Sequence, residues 1–208
     1  MRSAALLLAA PLLLCAGAPA PGQATAFERA VVQEMSDARV RPLGYARYLK
    51  ALRPYFEGTL WRLPGQVPLR TEEGVAALDE AIRFLESTKP VGPLRFNEGL
   101  ARAARAHAQY LGSHGLLSHQ GADGSGPAAR LDRLGRWQSR VAENISTGED
   151  DPRRVVIQML VDDGVPGRGH RLNLFNPDLH QAGAGEAPHT AYGTVCVIDY
   201  ADGFVADR

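Results

Sequence analysis

The chain has 208 residues, with 23 basic and 23 acidic side chains and a formal net charge of zero. This length suits one domain with a sizeable core. The absence of a basic run argues against nucleic acid or an anionic membrane surface as a partner.

The N-terminus has the pattern of a secretory signal. Arg2 precedes an apolar run over residues 4–15, and small residues and prolines follow. The run is shorter than the roughly 20 residues that span a bilayer. The triplet Ala24-Thr25-Ala26 predicts cleavage after residue 26, so residues 1–26 are the predicted signal peptide and residues 27–208 the single mature domain.

Two consequences follow for the mature protein. It is expected to be secreted or periplasmic and monomeric, without a membrane span; a lipid anchor on Cys15 is the alternative, disfavoured by the bulky Leu14 before it. Cleavage leaves one cysteine, Cys196, so no internal disulfide is expected. Because Cys196 lies in a β-branched segment, we predict that it is a buried apolar residue.

The first part of the domain, residues 27–93, is predicted to contain three helices and a loop. The helices are expected at residues 27–39 and 45–55, and from an N-cap at Thr71 until the proline-rich residues 89–93. Residues 58–69 contain two prolines and two glycines and are predicted to form a loop or lid. With Phe56, Leu60 and Trp61, this loop either covers an apolar groove or packs on the core.

The second part, residues 94–206, holds the core motifs. Asn97 and Asp151 are predicted helix N-caps, and proline follows Asp151 at the first helical position. Apolar patterning predicts a further short helix at residues 127–134 and strands at residues 137–145, 181–185 and 192–200.

Two isolated signals in this part have modest weight. His107 and His114 lie seven residues apart with no carboxylate at matching spacing, so packed or capping roles are preferred over a metal pair. The triplet Asn144-Ile145-Ser146 matches a glycosylation acceptor, but such matches are common by chance.

Three short motifs combine histidine with acid or amide side chains: Ser118-His119, Ala142-Glu143-Asn144-Ile145 and Gly169-His170-Arg171-Leu172-Asn173. Their order, after a helix of small residues and before two strands, resembles the CAP superfamily. That group contains cysteine-rich secretory, antigen 5 and pathogenesis-related proteins and a bacterial branch of exported SCP-domain proteins. The resemblance covers residues 27–206. It implies an α+β fold, a three-layer α/β/α sandwich with a small antiparallel sheet flanked by helices.

The resemblance also implies a cavity lined by two histidines and two acids. Carried onto this chain, they are His119, Glu143, Asp162 and His170. Asp163 is the second choice for the second acid, because the helix before His170 ends in both aspartates. Arg168 and Arg171, which flank His170, are expected to form ion pairs with acids such as Asp162 or Asp163.

Three functions fit these features. The first is a secreted module that binds a lipid or protein ligand. The second is a hydrolase of peptide or cell-wall substrates in which His119 and His170 hold zinc or another divalent cation. In the third, the four cavity residues are purely structural, and function lies on the variable surface. A serine hydrolase is not supported, because the G-x-S-x-G pattern is missing.

Overall fold

The computed structural model describes residues 23–207, so the predicted signal sequence, including Cys15, lies almost wholly outside the described residues. The helices are α1 (Ala26–Val40), α2 (Pro42–Leu52), α3 (Val75–Ser87), α4 (Glu98–His114), α5 (Pro127–Leu131), α6 (Pro152–Val161) and α7 (Gly169–Phe175). The strands are β1 (Phe56–Glu57), β2 (Leu60–Trp61), β3 (Leu69–Arg70), β4 (Arg95–Phe96), β5 (Gly135–Trp137), β6 (Val141–Thr147), β7 (Gln181–His189), β8 (Gly193–Ala201) and β9 (Phe204–Ala206).

A four-stranded sheet in the order β4-β7-β8-β6 forms the middle layer. Strands β7, β8 and β6 are antiparallel, and the short β4 joins β7 in parallel. Helix α4 packs on one face, while α1, α6 and α7 pack on the other. The predicted α+β sandwich is therefore confirmed. Strand β6 lies at one edge of the sheet, and this position matters for the site described below.

Close approach of α4 to β7 depends on two glycines. A Cβ at Gly183 would lie 2.1 Å from the backbone nitrogen of Ala101, and one at Gly185 would lie 2.0 Å from that of Arg105. Small residues on the facing side of α4, including Ala104, complete the contact. The helix can therefore lie directly on the sheet, which places its buried side chains near β6 and β8.

The predicted caps were mostly correct. The side chain of Asn97 accepts hydrogen bonds from the first turn of α4, and Asp151 does the same for α6. Thr25 caps α1 in a reciprocal bond with Glu28, so cleavage after residue 26 would remove that cap. Thr71 was predicted to cap the third helix, and this was wrong.

Helix α3 begins at Val75, after Gly74 with a φ of 65°. Thr71 instead bonds the carbonyl of Thr59, and the backbone N–H groups of Glu72 and Glu73 are bonded by Asp163. The segment before the helix is therefore held in part by a residue about 90 positions away, which local sequence cannot indicate. The strand predicted at 137–145 is split into β5 and β6, and α7 was not anticipated.

The buried guanidinium of Arg39 joins several segments. It donates to the carbonyls of Gly92 at 2.7 Å, Leu174 at 2.7 Å, Asn176 at 3.0 Å and Leu179 at 3.0 Å. Its side chain is wholly buried. It thereby fixes the end of α7 and the chain leading into β7 against α1.

Among residues 23–207, no helix is both long and apolar enough to cross a membrane.

We expect Arg39→Met to lower the free energy of unfolding by at least about 3 kcal/mol, because it leaves several buried carbonyls without a donor. Urea denaturation followed by circular dichroism measures this change. Arg47→Met, at an exposed position on α2, is the matched control and should change stability by less than about 0.5 kcal/mol. Equal effects of the two substitutions would contradict the structural role of Arg39.

Candidate functional site

The four predicted cavity residues come from both sides of the edge strand β6. Glu143 lies on β6, and His119 lies in the loop after α4. Asp162 follows the last turn of α6, and His170 is in the first turn of α7. Both histidines line one cavity of about 710 Å³. The structure therefore brings the two histidines to a common cavity, each with an acid behind it.

The first pair joins His119 to Glu143. The Nδ1 atom of His119 lies 2.8 Å from Oε1 of Glu143, and the Glu143 side chain is 1% exposed. Arg130 donates to the other oxygen of Glu143 and also to the carbonyl of His119 at 2.8 Å. Arg130 thus holds both members of the pair, a role that sequence reasoning missed. Its signal was weak, since it was one arginine within the short helix predicted at residues 127–134.

The second pair joins His170 to Asp162. Nδ1 of His170 lies 2.6 Å from Oδ1 of Asp162, and Oδ2 accepts from the backbone N–H groups of His170 at 2.9 Å and Arg171 at 3.3 Å. Asp162 is in the left-handed region with φ 54°, a conformation that Asp tolerates better than most residues. One buried carboxylate therefore orients the imidazole and satisfies the start of α7.

Asp163 has different hydrogen-bond partners from Asp162. Its two oxygens accept from the backbone N–H groups of Glu72 at 2.6 Å and Glu73 at 2.9 Å. These residues follow the predicted lid. Of the two adjacent aspartates, Asp162 thus contacts His170, and Asp163 attaches the lid to the same turn.

The predicted partners of the two arginines were wrong. Arg168 pairs with Glu73 and Glu80, and Arg171 pairs with Glu80 at 2.8 Å. The oxygens of Asp162 and Asp163 are already bonded to His170 and to backbone N–H groups. Hydrogen bonds from Arg168, and then from Arg171, lower the pKa of Glu80 to about 2. The ion-pair role was expected, but the acids come from α3 and the residues before it.

The hydrogen bonds define how each imidazole faces the cavity. An ionised carboxylate only accepts, so Nδ1 of both His119 and His170 must carry the proton. In a neutral ring, Nε2 then has a free lone pair. A histidine held in this way matches the carboxylate–histidine arrangement that orients metal ligands. However, within residues 23–207 no group of three or more His, Cys, Asp or Glu side chains is placed to hold a metal ion.

His107 lies behind this site rather than in it. It is buried, its Nε2 donates to the carbonyl of Ser118 at 2.8 Å, and it is 3.9 Å from Glu143. Burial lowers the pKa of His107, so it is neutral near pH 7. His114 is exposed and bonds the carbonyl of Tyr110 at 2.9 Å. The two rings thus have packed and capping roles, as preferred from the sequence.

Asn144 is a further residue whose importance the sequence did not reveal. It is wholly buried, and its amide donates to the carbonyl of His170 at 3.1 Å and to the hydroxyl of Tyr200 at 3.0 Å. It therefore links β6 to α7, and it is inaccessible as a glycosylation acceptor in the folded chain.

Cys196 is 2% exposed, and burial raises the pKa of its thiol.

The segment predicted as a lid forms one wall of the cavity. Strands β1, β2 and β3 make a small antiparallel sheet. Phe56, Trp61 and Leu69 line the cavity from it, and the rings of Phe56 and Trp61 stack at 5.6 Å. Leu60 is not among the lining residues. The lid is thus a short sheet rather than an irregular loop.

The sandwich and the two histidine–acid pairs define a CAP-type domain. A family model described as the CAP cysteine-rich secretory protein family matches residues 46–200. The chain therefore belongs to this family.

Several similar proteins come from bacteria. YkwD of Bacillus subtilis (strain 168) is 29% identical over 114 residues, which is 55% of this chain and 41% of YkwD, so the match spans about two fifths of that relative. An outer surface protein from Borrelia burgdorferi has a TM-score of 0.46 and 22% identity over 53% of this chain and 78% of that one. An extracellular SCP-domain protein from Bacillus anthracis str. Ames has a TM-score of 0.44 and 19% identity, covering 58% and 37%.

We expect Asp162→Gly to release His170 and to shift its neutral ring toward the Nε2–H tautomer, because Nδ1 loses its acceptor. Glycine is chosen since it adopts φ 54° without a Cβ penalty. Nitrogen-15 NMR of the imidazole measures the tautomer, and stability should fall by about 1–3 kcal/mol as the α7 N–H groups lose their acceptor. Asp163→Ala is the matched control. If the His170 signals move equally in both variants, Asp162 is not the residue that orients this ring.

Proposed function

We propose that this protein is an exported binding module that holds the apolar chain of a lipid-like ligand in the cavity, with the ligand's polar group at His119 and His170. The observation that carries the proposal is the cavity of about 710 Å³ that reaches from the lid to both histidines. A pocket of several hundred cubic ångströms is the size that encloses a small organic ligand. The predicted signal at residues 1–26 supports export.

The walls of the cavity are suited to an apolar chain. They are lined largely by aliphatic and aromatic side chains. These are Leu52, Phe56, Trp61, Leu69, Leu78, Leu117, Ile145, Ile157, Met159, Val161, Val165 and Tyr192. Several of them are still partly exposed, including Leu69 at 46%, Leu117 at 49% and Tyr192 at 50%. An apolar ligand would remove this surface from water, and such burial contributes about 25 cal/mol per Å².

Polar side chains also line the cavity, and His119 and His170 are the two that we assign to the ligand's polar group. His119 and His170 each present Nε2, which donates when the ring is charged and accepts when it is neutral. Their carboxylate partners fix the ring orientations, so little side-chain freedom is lost when a ligand binds. A ligand with a carbonyl, hydroxyl or acidic group at the end of an apolar chain fits this distribution. A protein ligand inserting one apolar side chain is the other outcome of the test below.

We expect Leu117→Trp to weaken uptake of a fluorescent long-chain fatty acid by at least about tenfold, or about 1.4 kcal/mol, because the larger side chain fills part of the cavity. Leu116→Trp is the matched control. Leu116 is also exposed, at 42%, but it does not line the cavity. Titration of delipidated protein with the probe gives the dissociation constants.

Saturable binding that both variants retain equally would place the lipid outside this cavity. If the wild-type protein neither carries lipid from its host nor takes up the probe, the lipid proposal fails. Capture of a protein partner that Leu117→Trp abolishes, and Leu116→Trp does not, would then favour the protein ligand.

A metal-dependent hydrolase of peptide or cell-wall substrates is the second candidate. It is favoured by the two histidines whose Nδ1 atoms are both bonded to carboxylates, leaving two Nε2 atoms as nitrogen donors. Catalytic zinc generally has three protein ligands and an open position. The described residues supply two, so a bound ion would need water or substrate for its other positions, and the fit to a resident catalytic zinc is incomplete.

Zinc titration by isothermal calorimetry distinguishes the candidates. The hydrolase requires one zinc per chain, with at least tenfold weaker binding in His119→Ala and in His170→Ala. His114→Ala removes an exposed histidine outside the cavity and should leave binding unchanged. Absence of stoichiometric binding in the wild-type protein would exclude the hydrolase, while leaving the lipid proposal intact.

A further inference from the structure

Asp199 lies directly opposite Glu143 in the sheet. Strands β6 and β8 are antiparallel, and their register pairs Glu143 with Asp199. Opposed residues of an antiparallel pair point to the same face, with Cβ atoms about 5 Å apart. This face is covered by α4, which packs on β8. The acid of the His119 pair therefore has a second carboxyl group beside it, from a residue that the sequence motifs did not include.

The surroundings of Asp199 offer it no donor. Its side chain is wholly buried, and neither carboxyl oxygen accepts a hydrogen bond from a donor among residues 23–207. A buried carboxylate without a donor is very costly, whereas a neutral carboxylic acid is much less so. Its cross-strand partner is the carboxyl group of Glu143, and two carboxyl groups can hydrogen bond only if one is protonated.

The charges around the pair favour protonation of Asp199 rather than Glu143. Glu143 accepts from Arg130 and from Nδ1 of His119, so its negative charge is compensated. The groups that face the pair are His107 from α4, His119 from the loop between α4 and α5, and Arg130 from α5. One guanidinium is thus available for two carboxyl groups. Burial, and then the charge of Glu143, raise the pKa of Asp199 well above its usual range.

We propose that Glu143 and Asp199 share one proton, carried by Asp199, and that Asp199 is a positioning residue that fixes Glu143 for its bond to His119. The neutral acid donates its O–H to Glu143 and leaves a single negative charge behind the imidazole. Loss of this proton would place a second negative charge beside Glu143. The assignment concerns the charge of the site, so it does not depend on which ligand the cavity takes.

The pH dependence of stability follows from the direction of the shift. Asp199 binds its proton more tightly in the folded chain, so its contribution is full below the unfolded pKa of about 4 and is lost as pH rises toward the folded pKa. In that interval the folding equilibrium constant falls by up to tenfold per pH unit on account of this group. Asp199→Asn cannot ionise, and it should remove this component.

The direct test is carbon-13 NMR of the side-chain carboxyl groups across pH 3–9 in the full mature protein. We expect the Asp199 carbon to keep the shift of a protonated acid at pH 7, while Glu143 is ionised. Asp178, which is exposed and paired with Arg140 at 3.1 Å, is the control for a surface carboxyl group. A midpoint below about pH 5 for Asp199 would overturn the proposal.

Two variants test the positioning role, with the tautomer of the neutral His119 ring followed by nitrogen-15 NMR. Asp199→Asn preserves a donor to Glu143, so His119 should keep the Nδ1–H tautomer. Asp199→Leu removes the donor, and the fraction of the Nε2–H tautomer should rise. Asp178→Asn is the control and should leave the tautomer unchanged. Equal tautomer populations in Asp199→Leu and wild type would contradict the role of Asp199; if neither Asp199 variant folds, the carboxyl titration of the wild-type protein decides.

Discussion

The hydrogen bonds of Arg39 are the constraint on which the placement of the site depends. Its guanidinium is wholly buried and bonds backbone carbonyls at the end of α7 and in the chain that leads into β7. A buried cation with these acceptors fixes several segments at once, because each displaced carbonyl would be left without a donor. His170 lies in the first turn of α7, and Arg39 bonds the carbonyl of Leu174 near the C-terminal end of the same helix. Arg39 therefore helps to fix the position of His170.

The site itself is assembled around the edge strand β6. Successive residues of a strand point to opposite faces, and Glu143 and Asn144 use this alternation. Glu143 faces α4 and bonds His119, whereas Asn144 faces α6 and α7 and bonds the carbonyl of His170. Two adjacent residues of one strand thus hold the two halves of the site. The cavity reaches both halves because β6 is the edge strand of the sheet within residues 23–207.

In the turn between α6 and α7, two adjacent residues likewise bond two different parts of the site. Asp162 orients His170 and bonds the first N–H groups of α7, while Asp163 bonds the N–H groups of Glu72 and Glu73 after the lid. The ring at the polar part of the cavity and the lid over its apolar part are therefore attached to consecutive residues. A displacement of this turn would therefore move both the His170 ring and the lid. This arrangement suits a cavity whose ligand contacts the lid and the histidines together.

The sequence by itself predicted the order of the main elements and most helix starts, because apolar periodicity and local capping chemistry depend on residues close together in the chain. The class of fold and the four candidate site residues came from the resemblance of three short motifs to a known family. The tertiary structure decided what each polar side chain contacts: Asp163 accepts from the backbone N–H of Glu72, Arg168 pairs with acids on and before α3, and Arg130 and Asp199 lie beside Glu143. Such partners lie up to about 90 residues apart. Their pairing depends on which buried groups remain without a partner once the layers have packed, and this physical condition has no local signature in the sequence.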